Sequence, residues 1–135
     1  EISAMLRIVD NLESIGDSCY QLSLTIDSKR KQNIAYSQEM NEKLQKMFSL
    51  VKEAVLEMNN NLSANYHNVS IDRAKELENR INEYRDQLRT EHTEAVKQNQ
   101  YPYQTGISYS TLYAQCEKLA DFAINVTEAI DKIKK

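Results

Sequence analysis

Apolar residues recur along this chain at intervals of three and four with little strict alternation, which is the spacing of amphipathic helices rather than strands. In the opening segment Met5, Leu12, Cys19 and Ile26 recur every seven residues, with Ile8, Ile15 and Leu22 beside them. This predicts a helix already under way at Glu1, continued from something longer, with that stripe buried. The pattern fades through SKRKQNIAYS, where Lys29, Arg30 and Lys31 suit the negative end of a helix. An anion site is the competing reading of that basic knot.

Ser37 is the expected N-cap of a second helix, with Glu39 in its first turn. Met40, Leu44, Met47, Val51, Ala54 and Met58 form its stripe, widened by Phe48, Val55 and Leu62. The asparagines Asn59, Asn60 and Asn61 should open a polar loop, NNNLSANYHNVS, that ends at a second cap, Ser70, with Asp72 behind it. A third helix carries Ala74, Leu77, Ile81, Tyr84, Leu88 and Ala95 on one face and charged residues elsewhere. QNQYPYQTG, with Pro102 and Gly106, breaks it, and a fourth helix runs from about Thr105 to Lys134. Each helix would be roughly 40 Å long at 1.5 Å per residue and would need the others' stripes to bury anything. The fold class that follows is all-α: an elongated up-and-down antiparallel bundle of four long helices, or three helices plus one belonging to a neighbouring unit.

Composition agrees with this. The 135 residues, one domain's worth, include only two glycines and one proline, so little interrupts the helices. A net charge of -3 without a basic field argues against nucleic acid or an anionic membrane as the main partner. No apolar run reaches the length of a membrane span and no leader is visible, so a soluble, cytoplasmic protein is expected. Cys19 and Cys116 lack metal or redox spacing and read as small thiols facing the core.

LESIGDSC, Leu12 to Cys19, is harder to explain. Glu13 and Asp17 repel one another one turn apart, and Gly16 between them costs the helix about 1 kcal/mol. On a helical wheel the two acids lie about 100° and 140° from Leu12, among Ile2, Leu6, Val9, Tyr20 and Leu24. They interrupt a second, narrower apolar row rather than joining a polar face. Sliding the sequence by 104 residues lays LESIGDSCYQLSLTI over CEKLADFAINVTEAI, so that Glu13 meets Glu117, Asp17 meets Asp121 and Gly16 meets Ala120. The first and fourth helices therefore read as copies of one element, each bearing E-x-x-x-D. Carboxylates on successive turns suit hard cations such as Mg²⁺, Mn²⁺ or iron, while ion pairing to a neighbouring helix is the plainer alternative.

The strings RIVDNLESIGD and AQCEKLADFAINVTEAI resemble the hallmark E-R-I-G-D helix of the PhoU family. The resemblance covers nearly the whole chain and is nearest to the PhoU-like domain behind the membrane part of bacterial Na⁺/phosphate cotransporters, whose third helix is similar to KELENRINEYRDQLRTEH. It implies that residues 1–33 correspond to the third helix of one half and 34–135 to a complete three-helix second half. It also implies a non-catalytic regulator of phosphate uptake, held at the inner membrane through its parent protein, with a transporter membrane domain or another phosphate-signalling protein as partner. Carried over by position, the metal ligands it implies are Glu13, Asp17, Glu117 and Asp121, joined by Glu78 and Asn82 from the third helix, for an iron, zinc, magnesium or manganese cluster. The sequence departs from the motif at Ser14 and Lys118, which replace its arginine, and at Ala120, which replaces its glycine.

The remaining candidates are weaker. Arg85, Arg89 and His92 share a face that would suit a phosphate or simply water, and His67 reads as a surface residue. Tyr101, Tyr103, Tyr109 and Tyr113 should pack over the end of the bundle or form a docking surface. No Glu-x-x-His pair, Gly-rich phosphate loop or activated nucleophile occurs, so catalysis is not expected. The alternative to the regulator is a non-catalytic structural module, without metal, that oligomerises, a homodimer being the simplest case, through the second apolar row of the first helix and uses its acids for interchain ion pairs.

Overall fold

The computed structural model describes residues 1–64 and 69–134, the side chain of residue 134 excepted. These residues form four helices: α1 (Ile2–Lys31), α2 (Gln38–Ser63), α3 (Asp72–Lys97) and α4 (Tyr103–Lys134). The all-α fold is as expected. Its arrangement is the expected up-and-down bundle: α2, α3 and α4 each pack on the other two, and α1 packs along α4.

Side-chain bonds fix the directions. Lys43 of α2 pairs with Glu91 of α3, whereas Glu53 pairs with Arg80, so these two helices are antiparallel. Arg85 meets Glu117 and His92 meets Tyr109, so α3 and α4 are antiparallel as well. Thr25 bonds Gln115 at 3.0 Å and Asn125 bonds Asn11 at 3.3 Å, so α1 runs antiparallel to α4.

α2 begins where Ser37 predicts, the hydroxyl accepting from the Met40 amide at 3.1 Å. Its end differs from expectation: the helix continues through Asn61 to Ser63, and the remainder of the anticipated loop, including His67, lies outside the described residues. Asn61 is buried, and its amide donates to Glu57 at 3.1 Å and to Thr127 of α4 at 3.3 Å, which removes the solvent-facing preference of an asparagine. The N-cap of α3 is Ile71 rather than the expected Ser70, which lies two residues before the helix start and accepts from the Asp72 amide at 3.3 Å.

α1 and α3 end alike. Asn33 and Asn99 adopt left-handed φ values of 54° and 52°, and the next residue donates back five positions, Ile34 to Lys29 and Gln100 to Ala95. Asparagine here performs the terminating role that glycine usually holds. Gly106 is no breaker; it lies in the first turns of α4, its amide bonded to the Pro102 carbonyl.

The expected stripes of α2 and α3 are the buried ones, though Phe48 and Leu62 are exposed and Leu50 is buried instead. α4 is the spine: Ala120, Ala123, Val126 and Ala129 are fully enclosed. In α1 the seven-residue stripe is not the buried face. Met5, Leu12 and Ile26 are 51%, 39% and 50% exposed and Cys19 is exposed, whereas Ile8, Ile15 and Leu22 pack on the core. Ser18 is the buried residue of that helix. A helix apolar around most of its girth leaves periodicity unable to choose the inward side. No helix among the described residues is long and apolar enough to cross a membrane.

Candidate site on the α3 and α4 face

The register of α3 against α4 brings four of the six sequence candidates onto one face. Glu117 and Asp121 stand on successive turns of α4, opposite Asn82 and Glu78 on α3. All four are partly buried. Arg85, one turn beyond Asn82, donates through Nη1 to Glu117 Oε1 and through Nη2 to Asp86 Oδ1 at 2.9 Å. Burial works against the Arg85 charge, but the bonds to Glu117 and Asp86 outweigh it and hold the guanidinium charged above its ordinary range.

Asp121 has the opposite experience. Burial first, then Glu117 and Glu78, push its carboxyl up to about 6, against a smaller opposing pull from Arg85. Its neighbours are mostly like-charged and its direct counter-charge is spent on Glu117. The arrangement can do two things chemically: take up a proton near neutral pH, or welcome a cation beside Asp121 and Glu78.

Glu13 and Asp17 are elsewhere. Both are exposed on α1. Asp17 edges an open cavity of about 510 Å³ whose wall includes Ser18, Gln115, Lys118 and Phe122. The two acid couples are thus not gathered into one site. Among the described residues no group of three or more acid, histidine or cysteine side chains is placed to hold a metal ion. With Glu117 pinned by Arg85 and Asn82 a weak donor, the present geometry does not fit a resident metal cluster.

Of the anticipated basic face, Arg85 turns to its acids, Arg89 is exposed, and His92 turns inward. The His92 ring stacks on Tyr101 with centroids 5.7 Å apart, meets Tyr109 and Tyr113 edge-on, and shares a hydrogen bond between Nδ1 and the Tyr101 hydroxyl. Burial lowers its pKa and raises those of the surrounding tyrosines. Tyr103 stands apart, 80% exposed.

Sequence reasoning missed the lysine beneath this aromatic cap. Lys43 reaches Glu39 at 2.8 Å and Glu91 at 2.7 Å, beside an open cavity of about 630 Å³ walled by Met40, Thr105, Tyr101 and Tyr109. The bond to Glu39, four residues back, was readable as a helix pair; the one to Glu91 needed the α2 to α3 register.

No family model, curated protein or solved structure matches the chain.

Proposed function

We propose that the chain is a PhoU-like regulatory domain of phosphate uptake, the cytoplasmic tail of a Na⁺/phosphate cotransporter, acting through protein contacts with its transporter's membrane part. One observation carries this reading. The two E-x-x-x-D helices, α1 and α4, lie antiparallel side by side, and α4 also packs with α2 and α3 as a three-helix bundle, which suits a fold built from repeated three-helix halves. The resemblance of both helices to the PhoU hallmark supplies the phosphate part of the proposal. Fold alone would not supply it.

Cation binding is the lesser part of the proposal. A hard cation would be held by Asp121 and Glu78, with Asn82 beside them, and Glu117 would join once Arg85 kept only Asp86. Glu13 and Asp17 would contribute at a separate place. Such an ion would supply a charge that draws α3 and α4 together; no reaction is routed through it.

The second reading, a helical module without metal, is favoured by the Arg85 to Glu117 pair, which gives one acid of the α4 couple a structural partner.

The test is labelled phosphate uptake in cells whose own copy of the gene carries Glu117→Gln with Asp121→Asn, or Glu13→Gln with Asp17→Asn. The regulatory reading expects altered uptake or altered response to phosphate starvation at unchanged protein level. Uptake and response identical to wild type for both variants would sink it. Thermal melts with Mn²⁺, Mg²⁺, Zn²⁺ and Fe²⁺ decide the cation separately: a bound ion at 100 times its Kd would stabilise the chain by about 2.7 kcal/mol, and Asp121→Asn should abolish the gain.

A further inference from the structure

The cavity where α2 and α4 begin and α3 ends is bordered by groups that the acids shared by α3 and α4 do not use. Its volume of about 630 Å³ lies within the ~300–1,000 Å³ usual for small-molecule sites. Met40, Ala95 and Pro102 give it apolar walls, and Tyr101 and Tyr109 give it aromatic ones.

Two hydroxyl groups on this lining lack partners. Thr105 and Tyr109 border the cavity and are 7% and 4% exposed. The Thr105 hydroxyl does not bond back to its own helix, as those of Thr25 and Thr93 do. The hydroxyls of Tyr36, Tyr84 and Tyr101 find Ser108, the Lys43 carbonyl and His92. That of Tyr109 finds no partner among the described residues, although it feels the charges of Lys43 and Glu91. Neither oxygen is sealed from solvent, so whatever fills the cavity can bond them. An unbonded hydroxyl in a buried side chain costs stability, and two of them on one cavity point to a ligand that bonds there.

Charge selects the ligand. Three carboxylates, Glu39, Glu91 and Glu94, face one ammonium, Lys43, and burial keeps His92 neutral at pH 7. The starts of α2 and α4 each add about half a positive charge and the end of α3 removes about half, which leaves the lining negative. An anion is therefore repelled, and Lys43 is already shared by Glu39 and Glu91 at 2.8 Å and 2.7 Å. The acids are also too dispersed for a point charge, since no three such groups among the described residues are placed to hold a metal ion. Glu39 and Glu94 are exposed at the rim, whereas Glu91 Oε2 is shielded beside Lys43. Negative charge drawn out from floor to rim suits an elongated cation with more than one ammonium. Ammonium groups only donate, and both free hydroxyl oxygens can accept.

We propose that this cavity binds a linear aliphatic polyamine. One ammonium donates to the Thr105 and Tyr109 hydroxyl oxygens within the field of Glu91, and the methylenes lie along Met40, Ala95 and Tyr101. A second ammonium pairs with Glu94, whose carboxylate accepts from the Gln98 amide and has no ion pair among the described residues. The site is separate from Asp121 and Glu78 and stands whether or not the chain regulates phosphate uptake.

Calorimetric titration of the full chain with spermidine tests this. Saturable binding of one molecule per chain is expected. Tyr109→Phe and Thr105→Val keep the side-chain shapes and should each weaken it about tenfold, the worth of one hydrogen bond to a charged group. Neither should lower the melting temperature of the free chain, because neither hydroxyl is bonded there. Glu94→Gln should weaken binding about threefold, as loss of an exposed ion pair does. Glu76→Gln removes the same charge roughly 27 Å away along α3 and should change nothing. Absence of saturable binding overturns the proposal, as do folded hydroxyl variants that bind like wild type. Equal losses from Glu94→Gln and Glu76→Gln would reveal general attraction to an acidic chain and overturn it too. So would Mg²⁺ at equal charge, inorganic phosphate or the zwitterion γ-aminobutyrate binding as tightly as spermidine. Should the hydroxyl variants not fold, Glu94→Gln against Glu76→Gln decides alone.

Discussion

The Arg85 guanidinium bonds Glu117 across α3 and α4 but not Asp121, one turn further along the same helix. Burial first, then Glu117 and Glu78, raise the Asp121 carboxyl to about 6 against a smaller pull from Arg85. An acid whose folded pKa lies above its unfolded value favours the folded chain when protonated. Its ionised form therefore costs stability, and that cost grows as pH rises from about 4 through about 6. Asp121→Asn keeps the shape and removes the charge. It should stabilise the protein by about 1–2 kcal/mol at pH 7.5, after discounting for solvent, and by almost nothing at pH 4. Melts at the two pH values check this; destabilisation at pH 7.5 would mean that the Asp121 charge has a partner that stabilises it.

How far the sequence could foresee this differs by helix. α2 and α3 have one apolar and one polar side, so their stripes predicted the buried residues correctly, Met40 to Met58 and Ala74 to Ala95. α1 is apolar on two sides, and the seven-residue stripe proved to be the wrong one; only Ile8, Ile15 and Leu22 of the expected set pack inward. Asn61 was misread because its bond to Thr127 spans 66 positions. The same holds at the site. Periodicity put Glu117 with Asp121, but Arg85 joins them only through the α3 to α4 register, which no local pattern contains.

Lys43 is expected to matter more than a surface lysine. Its ammonium is shared between Glu39 and Glu91, and Glu91 Oε2 is shielded from water with no hydrogen bond besides that ion pair. Burial disfavours the Lys43 charge, yet the two carboxylates hold its pKa above the ordinary lysine range, and Lys43 in turn holds Glu91 below the ordinary carboxylate range. Lys43→Met keeps the aliphatic stem and strands the acid, and should cost about 1–3 kcal/mol. Adding Glu91→Gln should recover part of the loss. Urea unfolding of the two single variants and the double variant measures the coupling, and strictly additive losses would show the contact to be idle.

The two glycines should respond oppositely to alanine. At Gly16 an added methyl meets nothing within 4 Å, so Gly16→Ala gains helix propensity alone, about 1 kcal/mol. At Gly106 the new methyl would stand 3.0 Å from Tyr101 Cε2 and 3.2 Å from His92 Cε1, between rings that are stacked and hydrogen-bonded. Moving them should cost about 1–3 kcal/mol, enough to cancel or exceed the propensity gain. Thermal melts of both variants decide, and a rise in Tm for Gly106→Ala would show that the aromatic cap gives way freely.

His92 gives the pH profile its second limb. Burial among Tyr101, Tyr109 and Tyr113 lowers its pKa, so the unfolded chain takes up that proton more readily than the folded one. For a base lowered on folding, the stabilisation is complete above the unfolded value near 6.5 and is lost as pH falls through it towards the lower folded value. The carboxylates Glu91 and Glu94 and the Lys43 ammonium share this end of the bundle, at the same cavity. Lys43 holds the Glu91 pKa below the ordinary carboxylate range. The His92 contribution to stability should therefore climb as pH rises towards about 6.5, while Asp121 pulls the other way. His92→Gln, which keeps a hydrogen-bonding group for the Tyr101 hydroxyl, should remove the climb and leave the fall due to Asp121 exposed. Denaturation midpoints between pH 4.5 and 8 for the wild type, His92→Gln and Asp121→Asn separate the two, since each variant should erase one slope and keep the other.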